Sequence, residues 1–240
     1  MHTDRIAELL EPFLTACAAL SSAQLRDIST YIDILLRWNA RINLTAIRDP
    51  EEIVTRHFGE SLFAARHLFP DAPTVRATNE ASAPALSEAS VPSVSSVVND
   101  LACTTVADIG SGAGFPGIPV KLWAPHIALT LIESNHKKST FLRELVRTLT
   151  LTDVNVFPGR AETLAPNAAF DVVILRAVER FGSALPIAAS LVVPGGRLAL
   201  LIGSAQLGLT RATLPDFSWQ DPFAIPGTRS RVLVVGTRPR

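Results

Sequence analysis

The chain has 240 residues, with 22 Lys plus Arg against 22 Asp plus Glu, a formal net charge of zero, 48% hydrophobic and 18% charged residues. That apolar content supplies a full core and excludes wholesale disorder, and the length suits one α/β domain with an appendage or two small domains. A balanced charge excludes a uniformly basic nucleic-acid binder, so any RNA-binding surface must be local.

Two cysteines, Cys17 and Cys103, are too few for a disulfide framework, and neither has zinc-type spacing, so no metal is expected. Residues 1–5 lack the basic-then-apolar order of a signal peptide, and no apolar run approaches the roughly 18 residues of a membrane helix. A cytoplasmic protein with no membrane partner is expected.

Residues 1–70 predict helices. Leu9, Leu10, Phe13 and Leu14 form one apolar cluster, and Ile28, Tyr31, Ile32, Leu35, Leu36 and Trp38 recur at helical spacing in a second. Asp49-Pro50-Glu51-Glu52 predicts a helix start, with Asp49 as N-cap and Pro50 at the first helical position. Ile53, Val54, Phe58, Leu62 and Phe63 form its apolar side. Residues 71–103 are rich in Ala, Ser, Thr and Pro and hold no aromatic residue. Such a segment buries too little apolar surface to offset its ordering entropy, and predicts a flexible insert.

From residue 104 strands and helices alternate. Strands are predicted at 106–109, 128–132, 154–157, 170–175 and 197–202, and helices at 116–123, 136–149 and 184–193. Pro194-Gly195-Gly196 predicts a turn, and a final strand at 231–235 follows irregular, Pro-containing sequence. This alternation implies βαβ units and a parallel sheet covered on both faces. The expected organisation is a helical extension (1–70), an insert (71–103) and an α/β domain (104–240).

Asp108-Ile109-Gly110-Ser111-Gly112-Ala113-Gly114-Phe115-Pro116-Gly117 leaves the first strand and enters a helix. Glycines let the backbone turn sharply and let a ligand approach, and a helix start offers unpaired N–H groups. Glu133 closes the second strand about 20 residues on, where nucleotide-binding folds place a ribose-binding carboxylate; the plainer alternative is a solvated strand-end acid. Asp108 can cap the loop, reach a ligand amino group through water, or do both. The dinucleotide fingerprint requires a glycine three residues after Gly112, and Phe115 stands there. Its bulk would crowd a pyrophosphate but suits a phosphate-free ligand such as S-adenosylmethionine. The fold expected is α/β, a class I (Rossmann-like) S-adenosylmethionine-dependent methyltransferase sheet with an N-terminal helical extension.

Trp38-Asn39 with Asn43-Leu44-Thr45, Arg56-His57 with Glu60-Ser61, the run 108–119, Phe141-Leu142-Arg143, Arg160-Ala161-Glu162 and Arg176-Ala177 together resemble the glucose-inhibited division protein B family of ribosomal small-subunit RNA guanine-N7 methyltransferases. The resemblance implies S-adenosylmethionine as cofactor and 16S ribosomal RNA, or the small ribosomal subunit, as partner of a monomeric enzyme. It implies that Gly110, Gly112 and Phe115 line the cofactor with Glu133. Ala161 and Glu162 would flank its adenine, and Arg176 would sit where cofactor and target base meet. Leu201-Ile202-Gly203 departs from the Leu-Lys-Gly common in the family, so a lysine that could contact RNA is absent.

Guanine N7 carries a free lone pair, so its methylation needs positioning more than proton removal. Arg176 cannot act as a base at neutral pH, but it can donate two hydrogen bonds to guanine O6, a phosphate or the cofactor carboxylate. The plainer alternative is an ion pair with Glu162 or Glu179. N7 lies in the narrow major groove of an RNA helix, so the target is expected to be unpaired or flipped out. Candidate RNA contacts are Arg56, Lys137, Lys138, Arg143 and Arg160, with Arg41, Arg48, His57 and Arg147 beside them; Lys137, Arg143 and Arg147 are expected on one helix face. Ordinary solvated surface is the alternative for each. His57 reads more simply as a residue docking the N-terminal helices onto the sheet, and Trp38 as core. A methyltransferase of small molecules or proteins, or a non-catalytic nucleotide-binding module, are the alternative functions.

Overall fold

A computed structural model describes residues 1–14, 19–70, 72, 103–165, 167–177 and 181–240. The expectations for Cys17, for nearly all of the insert and for Glu179 fall outside these residues.

Three helical pieces come first. α1 (Thr3–Leu10) runs into a 3₁₀ turn at Glu11–Phe13. α2 (Ser22–Asn39) begins in a capping box, in which Ser21 Oγ accepts from Gln24 N–H at 3.2 Å and Gln24 Oε1 accepts from Ser21 N–H at 2.8 Å. α3 (Pro50–Glu52) starts where the sequence predicts, with Asp49 accepting from Glu52 N–H at 2.8 Å. It passes through a π-helical segment, Ile53–Gly59, into α4 (Glu60–Leu68). π segments inside helices concentrate at functional sites, and this one carries Arg56 and His57.

The sheet contains β1 (Thr105–Ile109), β2 (Ala128–Ile132), β3 (Val154–Phe157), β4 (Phe170–Arg176), β5 (Val192–Gly203), β6 (Ser218–Trp219), β7 (Phe223–Ala224) and β8 (Arg231–Thr237). Between them lie α5 (Gly117–Trp123), α6 (His136–Thr148), α7 (Phe181–Ser190) and α8 (Leu207–Thr213). The order is β3-β2-β1-β4-β5-β8-β6, with β7 also on β8. β1 to β5 pair in parallel and β8 runs antiparallel to β5. This is the class I methyltransferase sheet expected from the sequence. Its strand order reverses between β1 and β4, which is where open α/β sheets bind ligands.

Two local expectations are corrected. β5 begins at Val192 rather than 197, because Pro194-Gly195-Gly196 is an irregularity within the strand, with a register shift between Phe170 and Val172 of β4. α7 accordingly ends at Ser190. α8 is a helix that its two threonines and Gly208 conceal; Leu207 packs against the second core, and buried Thr210 donates to Gln206 O at 2.9 Å.

Side chains of the central strands alternate between two cores. Val106, Val172, Ile174, Ala199, Leu201, Leu233 and Val235 pack with Ile6, Leu10, Tyr31, Phe58, Leu62 and Phe141. Ala107, Val173, Leu175, Leu198, Leu200 and Val234 pack with Phe181, Leu185 and Ala188. The N-terminal helices therefore share one layer of the α/β core with α5 and α6.

Candidate active site

The parallel order brings Gly110, Glu133, Ala161 and Arg176 to the carboxyl ends of the neighbouring strands β1, β2, β3 and β4. Gly110, Gly112 and Gly114 have φ of 73°, 57° and 91°, in the left-handed region that glycine adopts without strain. A Cβ on Gly112 would meet only the Gly110 carbonyl oxygen, at 3.7 Å, whereas one on Gly114 would lie 2.5 Å from Tyr31 Oη. The loop is thus open at Gly112 and clamped at Gly114.

Both strand-end acids hold the loop. Asp108 is buried, and its Oδ2 accepts from Gly117 N–H at 3.0 Å, the first residue of α5. Oδ1 is buried with no hydrogen-bond partner among the described residues. Burial pushes Asp108 up to about 7, against the opposing pull of Gly117 N–H, Ser111 and the Arg176 charge. Glu133 is 7% exposed, so the solvated-acid alternative does not hold. Its Oε2 accepts from Gly112 N–H at 2.9 Å and its Oε1 from Asn135 N–H at 2.7 Å. Each oxygen keeps a further lone pair for a ligand hydroxyl.

Phe115 turns its ring into the helical layer. It stacks on Tyr31 at 5.1 Å between centroids and on His57 at 4.7 Å, and meets Phe58 edge-on. The bulk that would crowd a pyrophosphate also anchors the loop to the helical layer. Tyr31, fully buried, donates from Oη to the Ala113 carbonyl. Sequence reasoning placed Tyr31 on a helix face but not in the site.

Arg176 is 8% exposed. Its Nη2 donates to Arg56 O at 2.6 Å and Glu60 Oε2 at 3.0 Å, and lies 3.2 Å from His57 Nδ1. Among the described residues its ion-pair partner is Glu60, in place of the expected Glu162; the alternative Glu179 lies outside them. Arg231 Nη2 reaches the same Glu60 Oε2 at 3.1 Å. Among the described residues, Arg176 Nε, Arg231 Nε and Glu60 Oε1 are buried without partners. Sequence reasoning missed Glu60 and Arg231. A charge within the buried run Phe58–Leu62 was the available signal for Glu60; Arg231, at the head of an apolar strand, gave none.

Ala177 follows Arg176 with φ of 52°, a conformation that costs a non-glycine residue about 1 kcal/mol or more. It lines a cavity of about 240 Å³ together with Phe181, Leu201, Ile202, Gly203, Gln206 and Arg231. Ala161 is buried and Glu162 exposed in a 3₁₀ turn after β3.

The proposed RNA-contacting cations are dispersed. Arg41, Arg48, Arg56, Lys137, Arg143, Arg147 and Arg160 are exposed and Lys138 half-buried. Arg143 and Arg147, four apart on α6, stack on one line of the helix, while Lys137 projects from another. Arg56 pairs with Glu52 at 3.4 Å. His57 and Trp38 sit where the simpler readings place them: His57 bridges π segment and β4, and Trp38 packs edge-on to Phe141. Among the described residues there is no group of three or more His, Cys, Asp or Glu that could hold a metal, and no helix long and apolar enough to cross a membrane.

The sequence pattern of the family described as rRNA small subunit methyltransferase G matches residues 24–75 and 89–213. Proteins named ribosomal RNA small subunit methyltransferase G are similar to this chain. The one from Xanthomonas axonopodis pv. citri is 35% identical over 185 residues, covering 77% of this chain and 72% of its own length. The one from Chloroflexus aggregans is 33% identical over 248 residues, covering 99% and 90%. Among solved structures, a ribosomal protein L11 methylase from Lactobacillus delbrueckii subsp. bulgaricus superposes with a TM-score of 0.49 at 18% identity, over 59% of this chain and 73% of that one.

Proposed function

Because the chain belongs to the rRNA small subunit methyltransferase G family, we propose that it transfers the methyl group of S-adenosylmethionine to N7 of an unpaired guanine in 16S ribosomal RNA, in the cytoplasm. One observation carries the cofactor assignment. The open glycine loop is flanked by Glu133, with lone pairs to spare, and by Asp108, whose buried Oδ1 has no partner. That donor set fits a ligand with ribose hydroxyls and a cationic amine. Bound there, S-adenosylmethionine supplies a methyl group on a sulfonium, an electrophile that needs no activation by acid.

The residues of this chain then have binding and positioning roles. Glu133 accepts from the ribose hydroxyls, Asp108 Oδ1 takes the ammonium directly or through water, and Ala161 and Glu162 flank the adenine. Arg176, held by Glu60 and by the Arg56 carbonyl, cannot accept a proton at neutral pH, and N7 has none to give. Its role is to fix the approach of the base in a site whose geometry supplies the rate. Arg56, Lys137, Lys138, Arg143 and Arg160 contact RNA around the site, on the intact 16S rRNA or the small subunit. The test is tritiated-methyl transfer into small-subunit rRNA beside a metabolite and protein panel. Label in a guanine of the RNA is expected; label only in the panel would overturn the RNA assignment.

A further inference from the structure

Glu60, Arg176 and Arg231 form a cluster with an excess of positive charge. Both guanidiniums share one oxygen of one carboxylate, at 3.0 and 3.1 Å. The side chains of Glu60 and Arg176 are 1% and 6% exposed, and that of Arg231 is 23% exposed. Among the described residues, the remaining carboxylate in Coulombic reach of Arg176 is Asp108, which burial holds near 7, so at neutral pH it offsets only part of the surplus. A desolvated cation without a full counter-charge is unfavourable, and the natural relief is an anionic ligand. Arg231 is the member that such a ligand can reach.

Two cavities meet at Arg231, and their charges differ. The larger, about 620 Å³ under the N-terminal helices, is also lined by Glu8, Glu52 and Glu60, which repel an anion, with Arg56 as its other cation. The smaller, about 240 Å³, lies at the carboxyl ends of β4 and β5. Arg231 is its sole charged wall among the described residues, beside Ala177, Phe181, Leu201, Ile202, Gly203 and Gln206. Gln206 spends its Oε1 on Gly203 N–H at 3.0 Å, which leaves its amide nitrogen as a second donor. Gly203 and Arg231 are direct partners in the β5–β8 ladder, so the cation stands at the same sheet edge as Arg176.

We propose that Arg231 is the anion anchor of this smaller cavity, and that its ligand is a phosphodiester group of the substrate RNA next to the target nucleotide. The proposal rests on the RNA-methyltransferase reading above. Phosphate contacts fix the register of a nucleic acid without reading its sequence, and a guanidinium is suited to two-point binding of phosphate oxygens.

The experiment measures affinity for a 16S rRNA transcript against KCl concentration for wild type, Arg231→Gln and Arg231→Lys, with melting temperature and S-adenosylmethionine affinity measured in parallel. Each phosphate neutralised on single-stranded RNA contributes about 0.7 to the slope of log affinity against log salt. Arg231→Gln is expected to make the slope shallower by about that amount, Arg231→Lys to retain it, and cofactor affinity to stay within twofold in both. An unchanged slope in Arg231→Gln with a lowered melting temperature would make Arg231 only the ion-pair partner of Glu60, and overturn the proposal. Weakened cofactor binding with an unchanged slope would overturn it in favour of the cofactor's carboxylate. Wild-type protein that binds no RNA would overturn the functional reading and this inference together, a result distinct from the other two.

Discussion

Nη2 of Arg176 lies 3.2 Å from Nδ1 of His57, and its two protons are shared with Arg56 O at 2.6 Å and Glu60 Oε2 at 3.0 Å. On the other side of the ring, His57 Nε2 lies 2.8 Å from Thr45 Oγ1. His57 thus links Arg176 to the loop after α2, and it carries the stacking face for Phe115.

His57 is expected to stay neutral through the whole working pH range. Burial first, then the charges of Arg176, Arg56 and Arg231, push it down to about 3. Below about 6.5 the unfolded chain takes up a proton that the folded chain refuses, so stability falls as pH drops from 6.5 toward 3, by at most about 1.4 kcal/mol per pH unit. Denaturant unfolding of wild type and His57→Gln between pH 7 and 5 measures this; the gap between the two should narrow on acidification. A constant gap would place His57 outside this linkage.

Asp108 has the opposite sign. Its folded value of about 7, raised by burial, means that the folded chain holds a proton which the unfolded chain has released above about 3.9. The contribution is full below that value and is lost as pH rises through 7. Asp108→Asn removes the loss and is expected to melt higher than wild type at pH 8 and closer to it at pH 5. Calorimetry near pH 6.5 in buffers of different ionisation heat should show proton release on S-adenosylmethionine binding to wild type and none in Asp108→Asn. Equal release in both would remove Asp108 from the cofactor's ammonium.

Arg176→Ala leaves the buried Glu60 with one cation and is expected to destabilise by about 3–5 kcal/mol. Replacing both, as Arg176→Met with Glu60→Leu, should recover much of that stability without recovering methyl transfer, because apolar substitutes satisfy the core but not the base. Urea unfolding and single-turnover methylation separate the two effects. Transfer restored together with stability would make Arg176 purely structural.

Tyr31→Phe removes the donor to the Ala113 carbonyl and should cost about 1–2 kcal/mol. Because that carbonyl belongs to the glycine loop, S-adenosylmethionine affinity is expected to fall about 3- to 10-fold in a folded protein. Gly114→Ala, whose Cβ would meet Tyr31 Oη at 2.5 Å, should weaken binding more than Gly112→Ala. Titration calorimetry ranks the three variants, and equal affinities would detach the helical layer from cofactor binding.

What could be read from the chain was local. The glycine loop, the acids closing β1 and β2, and the Asp49 cap each announce themselves within a dozen residues, and the structure has them in place. The contacts that organise the site join remote segments: Glu60 to Arg176 and Arg231, and Tyr31 to Ala113. Periodicity assigns Tyr31 to a buried face without saying what lies opposite. Phe115 is the instructive case. Its size was legible, but whether the ring turned toward a ligand or toward a helix depended on a layer whose packing no spacing reveals. α8 was hidden because its stability comes from packing on the core beside α7 rather than from its own propensities.

β8 lies inside the sheet, flanked by β5 on one side and by β6 and β7 on the other, yet it follows all of them in sequence. Until it is inserted, Leu233 and Val235 are missing from the core beneath the N-terminal helices, and Glu60 lacks Arg231. The helical layer, first in sequence, therefore completes its core only with the last strand of the sheet. Such closure by distant contacts slows folding.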